Sequence, residues 1–340
     1  MSDRSRIEWT DATWNPVTGC TKVSAGCKNC YAERMIDKRG AIGSVIHGPG
    51  PREDLALPFF HVLTHPDRLD IPLRWRKPRR VFVCSMGDLF HDDVPDGFIE
   101  RVFAAMALAT RHTFQVLTKR PARMLDWSTS VFGARTRACR IGEAACDTFG
   151  LQESHPGDLD DWPQWPLPNV WLGTSVENQQ AADERIPLLL QTPAAVRFVS
   201  CEPLLGPVDL TRVDFPGLNL APNFKFDSLR GGGCNTDTPW RLDWVICGGE
   251  SGPKARPMHP DWARSLRDQC ELYGVPFLFK QWGEWCPSPY GDWEEKNRHW
   301  FDSPEPHGTN VWRVGKKTAG RLLNGRLHDA MPPAAPKGQL

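Results

Sequence analysis

The chain alternates short apolar runs with longer stretches whose apolar residues recur every three or four positions. The runs are Val81–Cys84, Phe114–Leu117, Val170–Gly173, Val196–Val199, Trp244–Cys247 and Val275–Phe279. Continuous apolar runs of this length predict strands covered on both faces, as in a parallel sheet. Between them, Pro95–Thr110 carries Phe98, Ile99, Val102, Phe103 and Met106 at helical spacing. Asn178 is the predicted cap of a helix running towards Leu190, with Pro187 expected to kink or shorten it. Pro260–Tyr273 places Trp262, Leu266, Cys270 and Tyr273 on one face, and Gly274 follows as a stop. Strand, helix, strand at this spacing predicts βα units with right-handed crossovers.

Each run ends in a polar cluster: Ser85–Asp88, Thr118–Arg120, Thr174–Asn178, Ser200–Glu202, Gly248–Gly252 and Lys280–Glu284. Taken singly these are turns and caps. Six in register predict one shared pocket, because parallel α/β folds carry their sites at the strand C-termini. Two segments break the pattern. Residues 128–168 are Trp-rich, with Asp158, Asp160 and Asp161, and residues 209–239 contain Gly231, Gly232 and Gly233. Connections this long predict functional lids or disordered insertions. Trp282, Trp285, Trp293 and Trp300 are expected to cover one end of the fold, and the Pro/Ala-rich residues 330–340 form a flexible tail.

Composition narrows the picture. The 340 residues are 40% hydrophobic and 24% charged, enough for a real core without covalent staples. The 41 Lys+Arg and 41 Asp+Glu cancel, which argues against a polybasic coat and leaves room for a local basic groove. Arg74–Arg80 holds five cations in seven residues, and Arg135, Arg137 and Arg140 form a second group. Cations interleaved with aromatics suit a phosphate backbone and unstacked bases, or a solvated loop. No apolar run approaches membrane-spanning length, and the first residues lack a secretory signal pattern. The expected localisation is cytoplasmic, where the eleven cysteines would serve as thiols or metal ligands rather than disulfides.

The sharpest chemical signal is Cys20, Cys27 and Cys30, spaced C-x6-C-x2-C, with Gly19 and Gly26 letting the loop wrap tightly. Tyr31–Arg39 reads as a helix stopped by Gly40. Structural zinc takes four ligands, and Cys84 or His47 would have to supply the fourth. Three cysteines with a coordination position left open suit an iron–sulfur cluster. Cys139 and Cys146 repeat the six-residue gap and, with Cys234, are either ordinary thiols or a second centre. Cys84, Cys201 and Cys247 lie in or beside strands, where core packing is the default.

A three-cysteine loop at the start of a chain of βα units resembles the radical S-adenosylmethionine (SAM) enzymes. Their commonest spacing is C-x3-C-x2-C, so the longer first gap is a departure. The chain is more closely similar to a radical-SAM-like family found widely in bacteriophages and prophages. The matching stretches are Ile7–Cys20, Cys27–Glu33, Met86–His91, Leu117–Pro121, Ser200–Pro207, Gly248–Gly252 and Lys280–Gly283.

This resemblance implies an α/β fold, a partial (βα)6 TIM-like barrel over residues 1–290 with insertions at 128–168 and 209–239. A C-terminal extension would cover 291–329. It implies that Cys20, Cys27 and Cys30 each ligate one iron of a four-iron four-sulfur cluster, with SAM on the fourth. A flavodoxin- or ferredoxin-type reductant would supply one electron, SAM would be cleaved, and the 5′-deoxyadenosyl radical would take a substrate hydrogen. Ser85, Gly87 and Asp88 stand where the family holds the SAM amino group. Ser175, Glu177 and Asn178 would meet ribose hydroxyls or the methionyl carboxylate, and Lys119 or Arg120 a carboxylate. Glu202 and Glu250 are candidate contacts to SAM or substrate. Gly248 and Gly249 would give a close backbone approach, since the stretch lacks the Lys-Ser/Thr of a P-loop. The phage context suggests a hypermodified thymine in DNA as substrate, in the host cytoplasm, with an isomerase moving a glycyl group from an N-linkage to a C-linkage. Other radical SAM reactions, such as DNA lesion repair or peptide modification, form a second class. A zinc-bearing nucleic-acid-binding protein forms a third.

Overall fold

The computed structural model describes residues 5, 7–39, 59–130, 133–151, 165–215, 225–232, 240–287, 294–302 and 309–333. Its centre is one sheet of seven strands: β1 (Ala12–Trp14), β2 (Arg80–Val83), β3 (Thr113–Thr118), β4 (Val170–Ser175), β5 (Val196–Cys201), β6 (Trp244–Gly248) and β7 (Phe277–Gln281). All neighbours are parallel and the spatial order follows the chain order from β1 to β7. The first and last strands do not pair with each other, so the curled sheet is an open half-barrel. The helices are α1 (Tyr31–Arg39), α2 (Asp96–Leu108), α3 (Pro121–Thr129), α4 (Gly133–Phe149), α5 (Gln179–Gln191) and α6 (Pro260–Tyr273).

Six strands match the apolar runs, and β1 is an addition. It has three residues, too few for periodicity to register, and is fixed by pairing Ala12, Thr13 and Trp14 with Val81, Phe82 and Val83. The strand expected from Val275 begins at Phe277 instead. Pro276 has no N–H for the ladder, although its carbonyl accepts from Val245. The helix after Asn178 passes through Pro187 to Gln191. One backbone hydrogen bond is lost there, and burial of Ile186, Leu189 and Leu190 outweighs it. Gly274 ends α6 at φ 65°, the left-handed geometry a glycine adopts without penalty.

Both strand faces are buried, for two different reasons. The outer residues, such as Val81, Phe114, Leu172, Val199, Val245 and Phe279, join the helices in the main core. The inner residues Phe82, Trp171, Phe198, Trp244, Ile246 and Leu278 pack with Trp9 into an aromatic plug. Gly173 has no side chain because the Phe198 ring occupies its place: a Cβ there would lie 2.6 Å from that ring. Strand alternation then sets the next inward layer. One pleat beyond Leu117, Gly173 and Phe198 come Lys119, Ser175 and Ser200, so polar groups stand directly above the plug.

Part of the first long insertion is helical rather than a lid. In α4, Ile141, Ala144 and Ala145 are buried at helical spacing, and Arg137 reaches back to Glu100 at 3.1 Å with its guanidinium over Trp127. Beyond β7, Trp285–Cys286, Thr309–Arg313 and Arg298–Phe301 form a three-stranded antiparallel sheet. Trp282 packs on Phe279 and donates to the Leu322 carbonyl, and Trp285 donates to the Ala255 carbonyl. Trp300 is exposed, and Trp293 lies outside the described residues. Among the described residues no helix is long and apolar enough to cross a membrane.

Candidate active site

The loop leaving β1 carries all three clustered cysteines, and α1 begins immediately after Cys30. Its start is pinned to the end of β2: the Asn15 side-chain oxygen accepts from Ser85 Oγ and Met86 N, and Gly19 N donates to the Met86 carbonyl. Gly19 sits at φ 86°, and a Cβ there would fall 1.9 Å from the His61 carbonyl oxygen. Only glycine meets both demands.

Three strand ends each send one charged side chain to this loop. After β3, Arg120 Nη2 donates to the Thr21 carbonyl and hydroxyl at 3.2 and 2.8 Å, and Nη1 lies 3.5 Å from Cys20 Sγ. After β4, Glu177 Oε1 accepts from Gly26 N at 3.3 Å, and its other oxygen pairs with Arg185 at 2.9 Å. After β6, Glu250 accepts from Asn29 at 3.0 Å and from Arg256 at 2.7 Å. Burial alone would raise the Glu177 carboxyl, but the Ser24 hydroxyl, Arg185 and Lys119 hold it below the usual range. Glu250 is likewise held down by Arg256 and Asn29 against its burial.

The three cysteines face a cavity of about 510 Å³ at the C-terminal mouth of the sheet. That is small-molecule size. Of the residues assigned from the sequence, Cys20, Cys27, Cys30, Ser85, Gly87, Asp88, Lys119, Ser175, Glu202, Gly249 and Glu250 all line it. Glu177, Asn178 and Gly248 do not. Glu177 is spent on the cysteine loop, Asn178 caps α5 by accepting from Ala181 N, and Gly248 lies in β6 against Glu202. Asp88 lines the cavity, yet its oxygens already accept from Thr118, Phe90, Lys119 N and Arg120. It is a brace more than a free contact. Lys119 Nζ reaches Ser175 Oγ at 3.2 Å, and Glu202 is held by Lys280 and Gln281 at 2.9 and 3.1 Å. Gly249 permits close approach of the β7 end, since a Cβ would meet the Trp282 carbonyl oxygen at 1.9 Å.

Ser200, Lys280 and Gln281 also line the cavity, as expected of the polar strand ends, although they carried no individual role; Asn29 is an addition with no such signal. Arg185 and Arg256 carry no local signal, because only the fold brings them to Glu177 and Glu250. Neither the Arg74–Arg80 stretch nor Arg137 and Arg140 line the cavity. Arg74–Arg80 leads into the first residue of β2 at the opposite rim of the sheet, where Arg79 stacks on Trp75 and Arg80 pairs with Asp11. Arg137 and Arg140 pair with Glu100.

Three free thiols on one loop are a donor set that fits an iron–sulfur cluster, whose irons take one thiolate each. The three loop cysteines are free thiols lining one cavity. Among the described residues no three Cys, His, Asp or Glu side chains converge closely enough to hold one ion. Cys84 also lines the cavity, but burial pushes its thiol up, against a hydrogen bond from the Val17 backbone that lowers it. His47 and Cys234 lie outside the described residues. Cys139 and Cys146 are two turns apart on α4, about 10 Å by helical rise, too far to share one ion.

Burial and Asp88 push the Cys20 thiol up to about 11, with Arg120 pulling the other way. In metal-free protein at pH 8, iodoacetamide should therefore alkylate Cys20 roughly 20-fold more slowly than an unperturbed cysteine, after allowing for the greater nucleophilicity of a basic thiolate. Trypsin cuts after Lys22 and Lys28 and separates the three cysteines for mass spectrometry. Alkylation of Cys20 at the ordinary rate would contradict this.

A parallel α/β half-barrel with three thiols at its C-terminal mouth thus defines the class of protein. The chain belongs to a family described as a protein of unknown function, DUF5131, whose model matches residues 4–332. No curated protein matches it. Among solved structures, a spore photoproduct lyase mutant is similar at 12% identity and a TM-score of 0.37, covering 92% of this chain and 71% of that one.

Proposed function

We propose that this protein is a radical SAM enzyme. The observation that carries the reading is the placement of Cys20, Cys27 and Cys30 on one loop from β1, facing the cavity at the strand C-termini. Cys20, Cys27 and Cys30 would each hold one iron of a four-iron four-sulfur cluster. Together with SAM, that cluster supplies one-electron cleavage to a 5′-deoxyadenosyl radical able to take a substrate hydrogen.

The chain's own residues bind, orient and exclude water. Arg120, Glu177 and Glu250 fix the cysteine loop from three strand ends. Lys119 and Ser175 offer an ammonium and a hydroxyl to a carboxylate. Glu202, braced by Lys280, offers an acceptor across the cavity. The aromatic plug under these groups closes the barrel floor to solvent.

For the substrate, the reading from the family resemblance is a hypermodified thymine in DNA, isomerised from an N-linked to a C-linked glycyl group. The base would have to leave the helix stack to enter a cavity of this size. The electron donor would be of the flavodoxin or ferredoxin type.

The test is anaerobic reconstitution followed by iron and sulfide analysis, then addition of dithionite and SAM. About four irons and four sulfides per chain, with 5′-deoxyadenosine released, are expected. Zinc without sulfide, and intact SAM, would sink the proposal. Adding DNA that bears N-linked glycyl thymine, then digesting it for mass analysis, tests the substrate; absence of the isomer under turnover removes that part alone.

A further inference from the structure

Cys20, Cys27 and Cys30 do not share the same surroundings. Cys20 Sγ lies 3.5 Å from Arg120 Nη1. The nearest hydrogen-bonding neighbour of Cys27 Sγ is the neutral Ser24 hydroxyl at 3.9 Å. Among the described residues, Arg120 is the one cation hydrogen-bonded to any of the three sulfurs.

Arg120 is not free to swing. It is 9% exposed, and its guanidinium is gripped on two sides. Nη1 also donates to Asp88 Oδ2 at 3.3 Å, and Nη2 donates to the Thr21 carbonyl and hydroxyl. Thr21 Oγ1 is itself bonded to His91 Nε2 at 2.8 Å. Asp88 is fixed in turn by the Thr118 hydroxyl at 2.7 Å and by Phe90 N at 3.0 Å. The direction of the Arg120 charge towards Cys20 is therefore set by Asp88 at the end of β2 and by Thr21 in the cysteine loop itself. A buried carboxylate stands directly behind it.

We propose that Arg120 is a positioning residue that sets the reduction potential of the centre held by Cys20, Cys27 and Cys30, through its N–H···S hydrogen bond to Cys20, and that Asp88 opposes it. This rests on the reading that those thiolates hold a four-iron four-sulfur cluster. Reduction adds one electron to the centre, with no bond made or broken in the protein. A cationic donor on a ligand sulfur stabilises the added charge and raises the potential. A carboxylate nearby destabilises it and lowers the potential, and the low dielectric of a buried site strengthens both effects. Arginine suits the task because it stays charged and its planar fork can bond sulfur, carboxylate and hydroxyl together.

The experiment is a mediated redox titration, followed by electron paramagnetic resonance, without SAM. It uses full-length reconstituted wild type, Arg120→Gln, Arg120→Lys and Asp88→Asn, each first assayed for iron and sulfide. Arg120→Gln should shift the potential negative, changing the oxidised-to-reduced ratio at a fixed potential by at least tenfold, which is about 59 mV for a one-electron couple. Arg120→Lys should restore part of that shift. Asp88→Asn should move the potential the other way. Unmoved potentials in Arg120→Gln and Asp88→Asn at full iron content would overturn the proposal. If Arg120→Gln fails to hold iron, Asp88→Asn decides: a positive shift supports the proposal and no shift overturns it. A wild type without iron and sulfide would remove the cluster reading and this inference with it, and the metal analysis tells that outcome apart from an unmoved potential.

Discussion

Replacing Cys20, Cys27 or Cys30 by alanine, one at a time, should take reconstituted iron from about four per chain to near zero and 5′-deoxyadenosine formation to background. Each thiol would hold a different iron, so none can substitute for another. The same loss is expected at all three positions, although Cys20 alone is hydrogen-bonded to Arg120. Cys84→Ala is the informative control. It lines the same cavity, but its thiol is fully buried and hydrogen-bonded to the Val17 backbone. Iron and sulfide should survive that change. Metal lost equally from Cys84→Ala, with zinc rather than iron in the wild type, would instead mean a four-thiol structural site.

Glu177→Ala should destabilise the metal-free protein by about 3–5 kcal/mol, because it removes one member of a buried ion pair and strands the other. Glu177 and Arg185 are 2% and 6% exposed, and among the described residues Arg185 would keep only the Ser175 carbonyl at 2.8 Å. The cysteine loop would also lose its tie at Gly26. Glu177→Gln keeps the shape and an acceptor for Gly26 N, so it should cost less. Urea denaturation of the metal-free protein keeps cluster loss out of the comparison; a loss under about 1 kcal/mol for Glu177→Ala would show the pair is not load-sharing. The pH dependence has a definite sign. The folded carboxyl lies below its ordinary range, so its contribution is complete above the unfolded glutamate value of about 4.3. It is lost as pH falls through the lower folded value. The gap between wild type and Glu177→Gln should therefore be flat at neutral pH and narrow in acid.

These residues show where reading from sequence stops. Cys20, Cys27 and Cys30 are legible because their spacing is local: three donors in eleven residues, with glycines that let the chain turn. Glu177 and Asn178 are adjacent and both polar, and nothing local separates a loop brace from a helix cap. The fold separates them, sending Glu177 to Gly26 and Asn178 back to Ala181. The basic stretch Arg74–Arg80 looked suited to a phosphate backbone, and its composition does allow that. Its position leading into β2 puts it at the rim opposite the cavity, and strand direction is a property of the whole sheet.

Apolar periodicity by itself determined six of the seven sheet strands, the helices after β2, β4 and β6, and the rule that polar strand ends gather at one mouth. These follow from short-range physics: pleat, helical repeat and turn chemistry act within a few residues. Tertiary structure alone decided the three-residue strand β1, which exists only by pairing with β2. It also decided the aromatic plug, where Gly173 is small because Phe198 lies over it. The ion pairs that hold the cysteine loop arose the same way. A charge 100 residues away, such as Arg120 beside Cys20, has no neighbour in sequence to announce it, and only packing of the strand ends brings the two together.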